Sequence, residues 1–180
     1  MKVLCVIDCQ NDFVTGTLGT PEASLVIPKI AEKIHNLSKE DKVIFTKDTH
    51  FSQTYLDSRE GKSLPVEHCL IGTDGWEIVP ELKEFSNNEN TITKMSFGSM
   101  CWDRLIQFTP WIQTEIEIVG VCTGICVISN ALILRAIFPE MKITVDASCC
   151  ACVTPESHKT ALAAMKTCQI EIIGEEISDD

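Results

Sequence analysis

Six short apolar runs, each separated from the next by a helical or loop segment, constrain this chain more than any other feature. They cover residues 3–7, 43–45, 91–93, 116–119, 142–145 and 169–173. Runs this short, apolar on both sides and rich in Val and Ile, read as strands buried on both faces, which is the pattern of a parallel sheet. Between them lie amphipathic segments. Thr20-Pro21-Glu22 opens one, with Thr20 as N-cap, proline in the first turn and Leu25, Ile27, Ile30 and Ile34 turned inward. Thr154-Pro155-Glu156 opens another, with Leu162 and Met165 inward. A helix is expected over residues 100–108, and one running from the fourth strand to Phe138-Pro139. Strands alternating with helices predict an α/β fold, a three-layer open, mostly parallel six-stranded sheet with helices on both faces. A length of 180 residues suits one domain spanning 1–180.

Charge narrows the partners. A net charge of −11 argues against nucleic acid and anionic membrane, both of which need a basic face. Residues 125–138 form the longest apolar stretch, shorter than the roughly 20 residues of a membrane span and interrupted by Asn130 and Arg135. With the N-terminal apolar run broken by Asp8, a cytoplasmic setting is expected, and its ten cysteines are read as reduced thiols. Cys149-Cys150-Ala151-Cys152 resembles a metal-binding tract but has no Cys-x-x-Cys half-site to complete it. Neither a Gly-x-Gly-x-x-Gly nor a P-loop pattern occurs, so nucleotide binding has no support.

In a sheet of this kind ligands bind beyond the carboxyl ends of the strands. Asp8 closes the first run, Asp48 and His50 follow the second, Lys94 the third, and Cys126 comes after the fourth. Cys126 falls where a helix begins, and the dipole there favours thiolate over thiol. A carboxylate that takes the thiol proton, with a lysine that stabilises both, is an activated nucleophile without histidine. The plainer readings are a small buried cysteine and an ordinary Asp8–Lys94 ion pair. Asp48-x-His50 with His68 offers oxygen and nitrogen ligands for a divalent ion, and Glu60 a further oxygen. His35 and His158 read as ordinary solvated residues, the tail 175–180 as frayed, and the segment 51–75 as a long functional loop with weak periodicity.

Taken in order, Ile7-Asp8-Cys9-Gln10-Asn11-Asp12-Phe13, Thr46-Lys47-Asp48-Thr49-His50, Leu64-Pro65-Val66-Glu67-His68-Cys69 with Gly72-Thr73, Lys94-Met95-Ser96-Phe97-Gly98 and residues 120–127 resemble the isochorismatase-like cysteine hydrolases, most closely the nicotinamidases. The resemblance implies a catalytic triad of Asp8, Lys94 and Cys126. It implies a cis peptide between Val121 and Cys122, and an oxyanion hole from the backbone N–H groups of Cys122 and Cys126. It also implies a metal held by Asp48, His50 and His68, with Glu60 as an acidic ligand found in some members; zinc is expected, with manganese or iron as alternatives. The metal would grip the pyridine nitrogen of a small amide, with Phe13 and Phe97 as aromatic walls. Members that act on isochorismate lack the cysteine, so its presence argues against that chemistry. Two departures stand out: Gly124 replaces the usual aspartate two residues before the nucleophile, and Leu64 the tryptophan before Pro-x-His. The expected activity is hydrolysis of nicotinamide to nicotinate and ammonia by a cytoplasmic homo-oligomer. An enzyme acting on another small amide, such as an N-carbamoyl compound, and a noncatalytic metal or redox module are the alternatives.

Overall fold

A computed structural model describes residues 1–106 and 114–175. Along the chain run β1 (Lys2–Ile7), α1 (Asn11–Val14), α2 (Pro21–His35), β2 (Lys42–Asp48), α3 (Arg59–Ser63), α4 (Pro80–Lys83), β3 (Thr91–Lys94), β4 (Glu115–Val121), α5 (Ile128–Ile137), β5 (Lys142–Ala151), α6 (Pro155–Thr167) and β6 (Glu171–Ile173). The strands form one sheet in the order β3-β2-β1-β4-β5-β6, every neighbouring pair parallel.

Strand alternation divides the apolar residues between two cores. Val3, Cys5 and Ile7 of β1, with Ile116 and Ile118 of β4, pack under Ala131 and Leu134 of α5 and Leu162 and Met165 of α6. Leu4 and Val6, with Phe45 and Val119, face Val26, Ile27 and Ile30 of α2 and Leu82 of α4. Helices therefore cover both faces, as the sequence pattern predicts. Thr20 accepts from the Ala23 N–H, and Thr154 forms a reciprocal capping box with Ser157, so both proline-led starts stand where they were expected.

Leu25 is a correction. It is 69% exposed, because two residues of helix place it about 200° away from Ile27, and Ala23 and Val26 complete the inward stripe instead. The helix expected over 100–108 is also corrected. Its described part holds one 3₁₀ turn, Trp102–Arg104, preceded by the Ser99 hydroxyl bonding the Cys101 N–H at 3.1 Å, while residues 107 and 108 lie outside the described residues. The frayed tail expected at 175–180 likewise lies, beyond residue 175, outside them. β5 is longer than its apolar run, so Asp146 sits within the strand and pairs with Lys33 at 2.8 Å rather than reaching the carboxyl edge. No helix among the described residues is long and apolar enough to cross a membrane.

Gly120 decides how the sheet delivers its site. It lies opposite Ile7 with φ at +119°, and a Cβ there would stand 2.2 Å from the Ile7 carbonyl oxygen. Gly120→Ala would combine a disfavoured backbone with a backbone clash and is expected to cost about 3 kcal/mol or more, read from the midpoint of a denaturant melt. A loss within about 0.5 kcal/mol would show that β1 and β4 are free to separate there.

Candidate active site and metal centre

Three of the sequence-predicted residues meet at the carboxyl edge. Asp8 follows β1 in a left-handed conformation, φ 49°, and is fully buried. The Thr46 hydroxyl donates to Asp8 Oδ1 at 2.6 Å and accepts from the Asp8 N–H at 3.1 Å. Lys94 ends β3 as the register partner of Asp48, which brings its Nζ to 2.7 Å from Asp8 Oδ2 and 3.3 Å from Asp48 Oδ1. The same ammonium lies 3.8 Å from Cys126 Sγ. Cys126 is buried, and its carbonyl accepts from Asn130 Nδ2 at 2.8 Å. It stands in a π turn, Thr123–Val127, rather than the first turn of an α-helix, and the peptide between Val121 and Cys122 is cis.

The charge state differs from the sequence expectation. Burial pushes the Cys126 thiol well above its ordinary range, Asp8 adds to this, and Lys94 opposes it. A thiol this buried loses more to desolvation than a helix start supplies. Cys126 is therefore held as a thiol. Burial also raises the Asp8 carboxyl against the pull of Lys94, which makes it a stronger base than a solvated carboxylate. For Lys94 burial works against the charge, yet the Asp8 and Asp48 carboxylates outweigh it and keep the ammonium.

The four expected metal ligands also converge. One donor atom from each of Asp48, His50, Glu60 and His68 lies within 4.8 Å of all the others. His50 Nε2 is 3.1 Å from Asp48 Oδ2 and 3.8 Å from Glu60 Oε2; His68 Nε2 is 3.9 Å from Asp48 Oδ2 and 3.6 Å from Glu60 Oε1. Ligands at about 2.0–2.2 Å around one divalent ion stand roughly 3–3.6 Å from each other, so these spacings fit with little adjustment. The donor chemistry fits too. His68 Nδ1 is tied to the Val66 carbonyl at 2.8 Å, which turns Nε2 inward as a ligating imidazole requires. Burial and Asp48 raise the Glu60 carboxyl, the mark of two carboxylates crowded where a cation would relieve them. Glu60 reaches the cluster because Ser58 caps α3 inside the long loop, bonding the Gly61 N–H at 2.9 Å. Asp12 Oδ2 accepts from the Cys69 N–H at 2.7 Å and fastens the His68 end of that loop to the β1 edge.

A cavity of about 900 Å³ opens onto both clusters. Phe13 and Phe97 line it, as does Leu64, which is 37% exposed and leaves the wall aliphatic at that point. Sequence reasoning missed Tyr55, the chain's single tyrosine, which sits 4.9 Å from His50 and 5.3 Å from His68 by ring centroids and donates to the Leu64 carbonyl at 2.8 Å. A lone aromatic in an aperiodic loop was the available signal. Gln10 was missed as well; its amide bonds the Asp48 N–H and C=O at 2.7 and 2.9 Å and holds the strand end that feeds both clusters. His35 is exposed as expected. His158 is corrected: it is half-buried with Nδ1 2.8 Å from the Thr123 hydroxyl. Strand alternation sends Cys149 and Cys150 into opposite cores, so that tract cannot converge on a metal.

A parallel sheet that gathers an acid, a lysine and a cysteine beside a four-ligand cluster has the layout of a hydrolase site. Residues 2–176 match the isochorismatase domain model, and the chain belongs to that family, as a nicotinamidase-like hydrolase. Nicotinamidase 1 of Arabidopsis thaliana is 30% identical over 142 residues, 69% of this chain but only 56% of that protein's length. The nicotinamidase/pyrazinamidase of Mycobacterium tuberculosis is 25% identical, covering 96% of this chain and 98% of its own. Among solved structures, the pyrazinamidase of Pyrococcus horikoshii in complex with zinc superposes with a TM-score of 0.78 at 25% identity, covering 97% of this chain and 99% of that one.

Proposed function

We propose that this chain is a cysteine amidohydrolase that converts nicotinamide to nicotinate and ammonia. Asp48 carries the reading. Its Oδ1 faces Lys94 and its Oδ2 faces His50, so one side chain joins the cysteine cluster to the metal-ligand cluster across a single pocket. Asp8 takes the proton of the Cys126 thiol, and the sulfur attacks the amide carbonyl carbon. The backbone N–H groups of Cys122 and Cys126 receive the developing oxyanion. Lys94 keeps Asp8 in place and balances the charge that the proton transfer creates. As the tetrahedral adduct collapses, Asp8 returns its proton to the departing nitrogen and ammonia leaves a thioester on Cys126. Asp8 then deprotonates a water that attacks the thioester, and the sulfur departs as thiolate to regain its proton.

Asp48, His50, Glu60 and His68 would hold a divalent ion, zinc first and manganese or iron as alternatives, which would supply a Lewis-acid grip on the pyridine nitrogen and so orient the ring. Phe13, Tyr55 and Phe97 wall the ring on the protein's side. A cytoplasmic setting suits a chain whose cysteines are all free. Leu64 in the cavity wall favours one second reading, the same chemistry on another small amide such as an N-carbamoyl compound. Ammonia release over a panel of small amides tests the proposal: nicotinamide should be the fastest of the panel, and a faster N-carbamoyl compound would move the substrate to the second reading.

A further inference from the structure

We propose that Cys122 and Cys152 form a second thiol site beside the nucleophile, where a hydroperoxide oxidises Cys152 and Cys122 then closes a disulfide with it. The sheet builds this pair. β4 and β5 are parallel neighbours with Val121 opposite Ala151, so the next residue of each strand, Cys122 and Cys152, stands beside the other at the carboxyl edge. Neighbouring strands run about 4.8 Å apart, inside the roughly 4.4–6.8 Å between Cα atoms that a disulfide spans. The side chains already face one another, with the Cys122 thiol donating to Cys152 Sγ at 3.0 Å.

Cys152 is equipped to react. Besides Cys122, its sulfur accepts from the Gly124 N–H at 3.3 Å and from the Ser157 hydroxyl at 3.2 Å. These donors favour thiolate and lower the Cys152 thiol below its ordinary range, with the Cys122 bond as the largest cause. By contrast, burial pushes up Cys5, Cys9, Cys69, Cys126 and Cys150. Cys122 and Cys152 both line the large cavity, which gives a small peroxide a path. No third metal-binding side chain joins them among the described residues, so the pair is suited to redox chemistry rather than to a metal. Gly124, the departure noted in the sequence, belongs to this arrangement: a Cβ there would lie 3.2 Å from Cys152 Sγ, tighter than an ordinary contact.

In the first step the Cys152 thiolate attacks the outer oxygen of the peroxide. An S–O bond forms, the O–O bond breaks, and the leaving oxygen takes a proton to depart as water or an alcohol. Cys122 sulfur then attacks Cys152 sulfur; the S–S bond forms, the S–O bond breaks, and the hydroxide leaves as water with the Cys122 proton. Two thiols are oxidised and one peroxide is reduced, and a dithiol reductant reverses the change. The Cys122 carbonyl accepts from the N–H groups of Ile125 and Val127, so the cross-link attaches to the turn that carries Cys126.

The test is peptide mapping of the full chain after brief treatment with hydrogen peroxide and capping of the remaining thiols with N-ethylmaleimide. A Cys122–Cys152 linked peptide should appear before any oxidation of Cys126 and vanish with dithiothreitol. In Cys122→Ser, checked by its melting curve, Cys152 should instead be trapped by dimedone as its sulfenic acid. In Cys152→Ser, no link at Cys122 should form. Oxidation elsewhere with no linked peptide, or a Cys152 that dimedone never labels in Cys122→Ser, overturns the proposal. Each readout is a mass rather than a turnover, so the outcome is independent of which amide the enzyme hydrolyses.

Discussion

Cys126→Ala is expected to remove turnover, by on the order of 10⁴-fold or more, while the protein stays folded. The size follows from the chemistry: without the sulfur no thioester can form, and the groups left behind give only the residual rate typical of a site that has lost its nucleophile. Stability should change by about 1 kcal/mol, since the substitution removes one buried sulfur and leaves the backbone bond from Asn130 in place. Cys122→Ala should lose far less, because the proposed mechanism uses its backbone N–H and not its thiol. Steady-state ammonia release and thermal melts of the two variants decide the matter. Equal losses in both, with both folded, would remove Cys126 from the role of nucleophile. Cys126 is held as a thiol, so the same experiment with Asp8→Asn asks whether the base is needed at all; a turnover close to that of the unaltered protein would mean that the proton leaves by another route.

Local signals made most of the scaffold legible. Thr20-Pro21 and Thr154-Pro155 announced two helix starts because a cap and a first-turn proline act within a few residues. Five carboxyl-edge residues could be placed because each stands at or just after an apolar run. What escaped depends on contacts across the sheet. Nothing in residues 142–151 says that β5 should continue past Asp146; the continuation comes from pairing with β4, whose register shifts between Ile118 and Gly120. The Cys126 thiol ran against the expectation because a helix start is visible in sequence whereas the depth of burial beneath it is not. Tyr55 and Gln10 hold the metal-ligand and strand-end positions through bonds to Leu64 and Asp48, distant enough in the chain that no spacing rule links them. Cys122 and Cys152, 30 positions apart, became a pair only through the β4–β5 register.

Loss of the metal-ligand cluster is the second large effect expected, and it separates nicotinamide from other amides. A metal bound by Asp48, His50, Glu60 and His68 would tie a loop of more than twenty residues to the sheet edge, so protein purified without chelators should carry about one divalent ion per chain by elemental analysis. Its removal should expose the segment 51–75 to protease before the sheet melts. The substrate test rests on magnitudes. Stacking on an aromatic wall contributes about 0.5–1.5 kcal/mol beyond area, so the change to Leu64 alters affinity by roughly tenfold or less. A Lewis-acid contact with the ring nitrogen is worth several kcal/mol, or about 10²-fold and upward. Benzamide carries the same amide on a six-membered aromatic ring of the same size, with C–H in place of the ring nitrogen. Nicotinamide should therefore exceed benzamide in kcat/KM by about 10²-fold or more in the metal-loaded enzyme, and His50→Ala should bring the ratio toward unity by lowering the nicotinamide value alone. Equal rates on the two amides with the metal present would leave the cysteine chemistry standing and transfer the substrate to the N-carbamoyl reading. A chain that purifies without stoichiometric metal yet hydrolyses nicotinamide at full rate would leave Asp48 with its bonds to Lys94 and His50 as its part in the site.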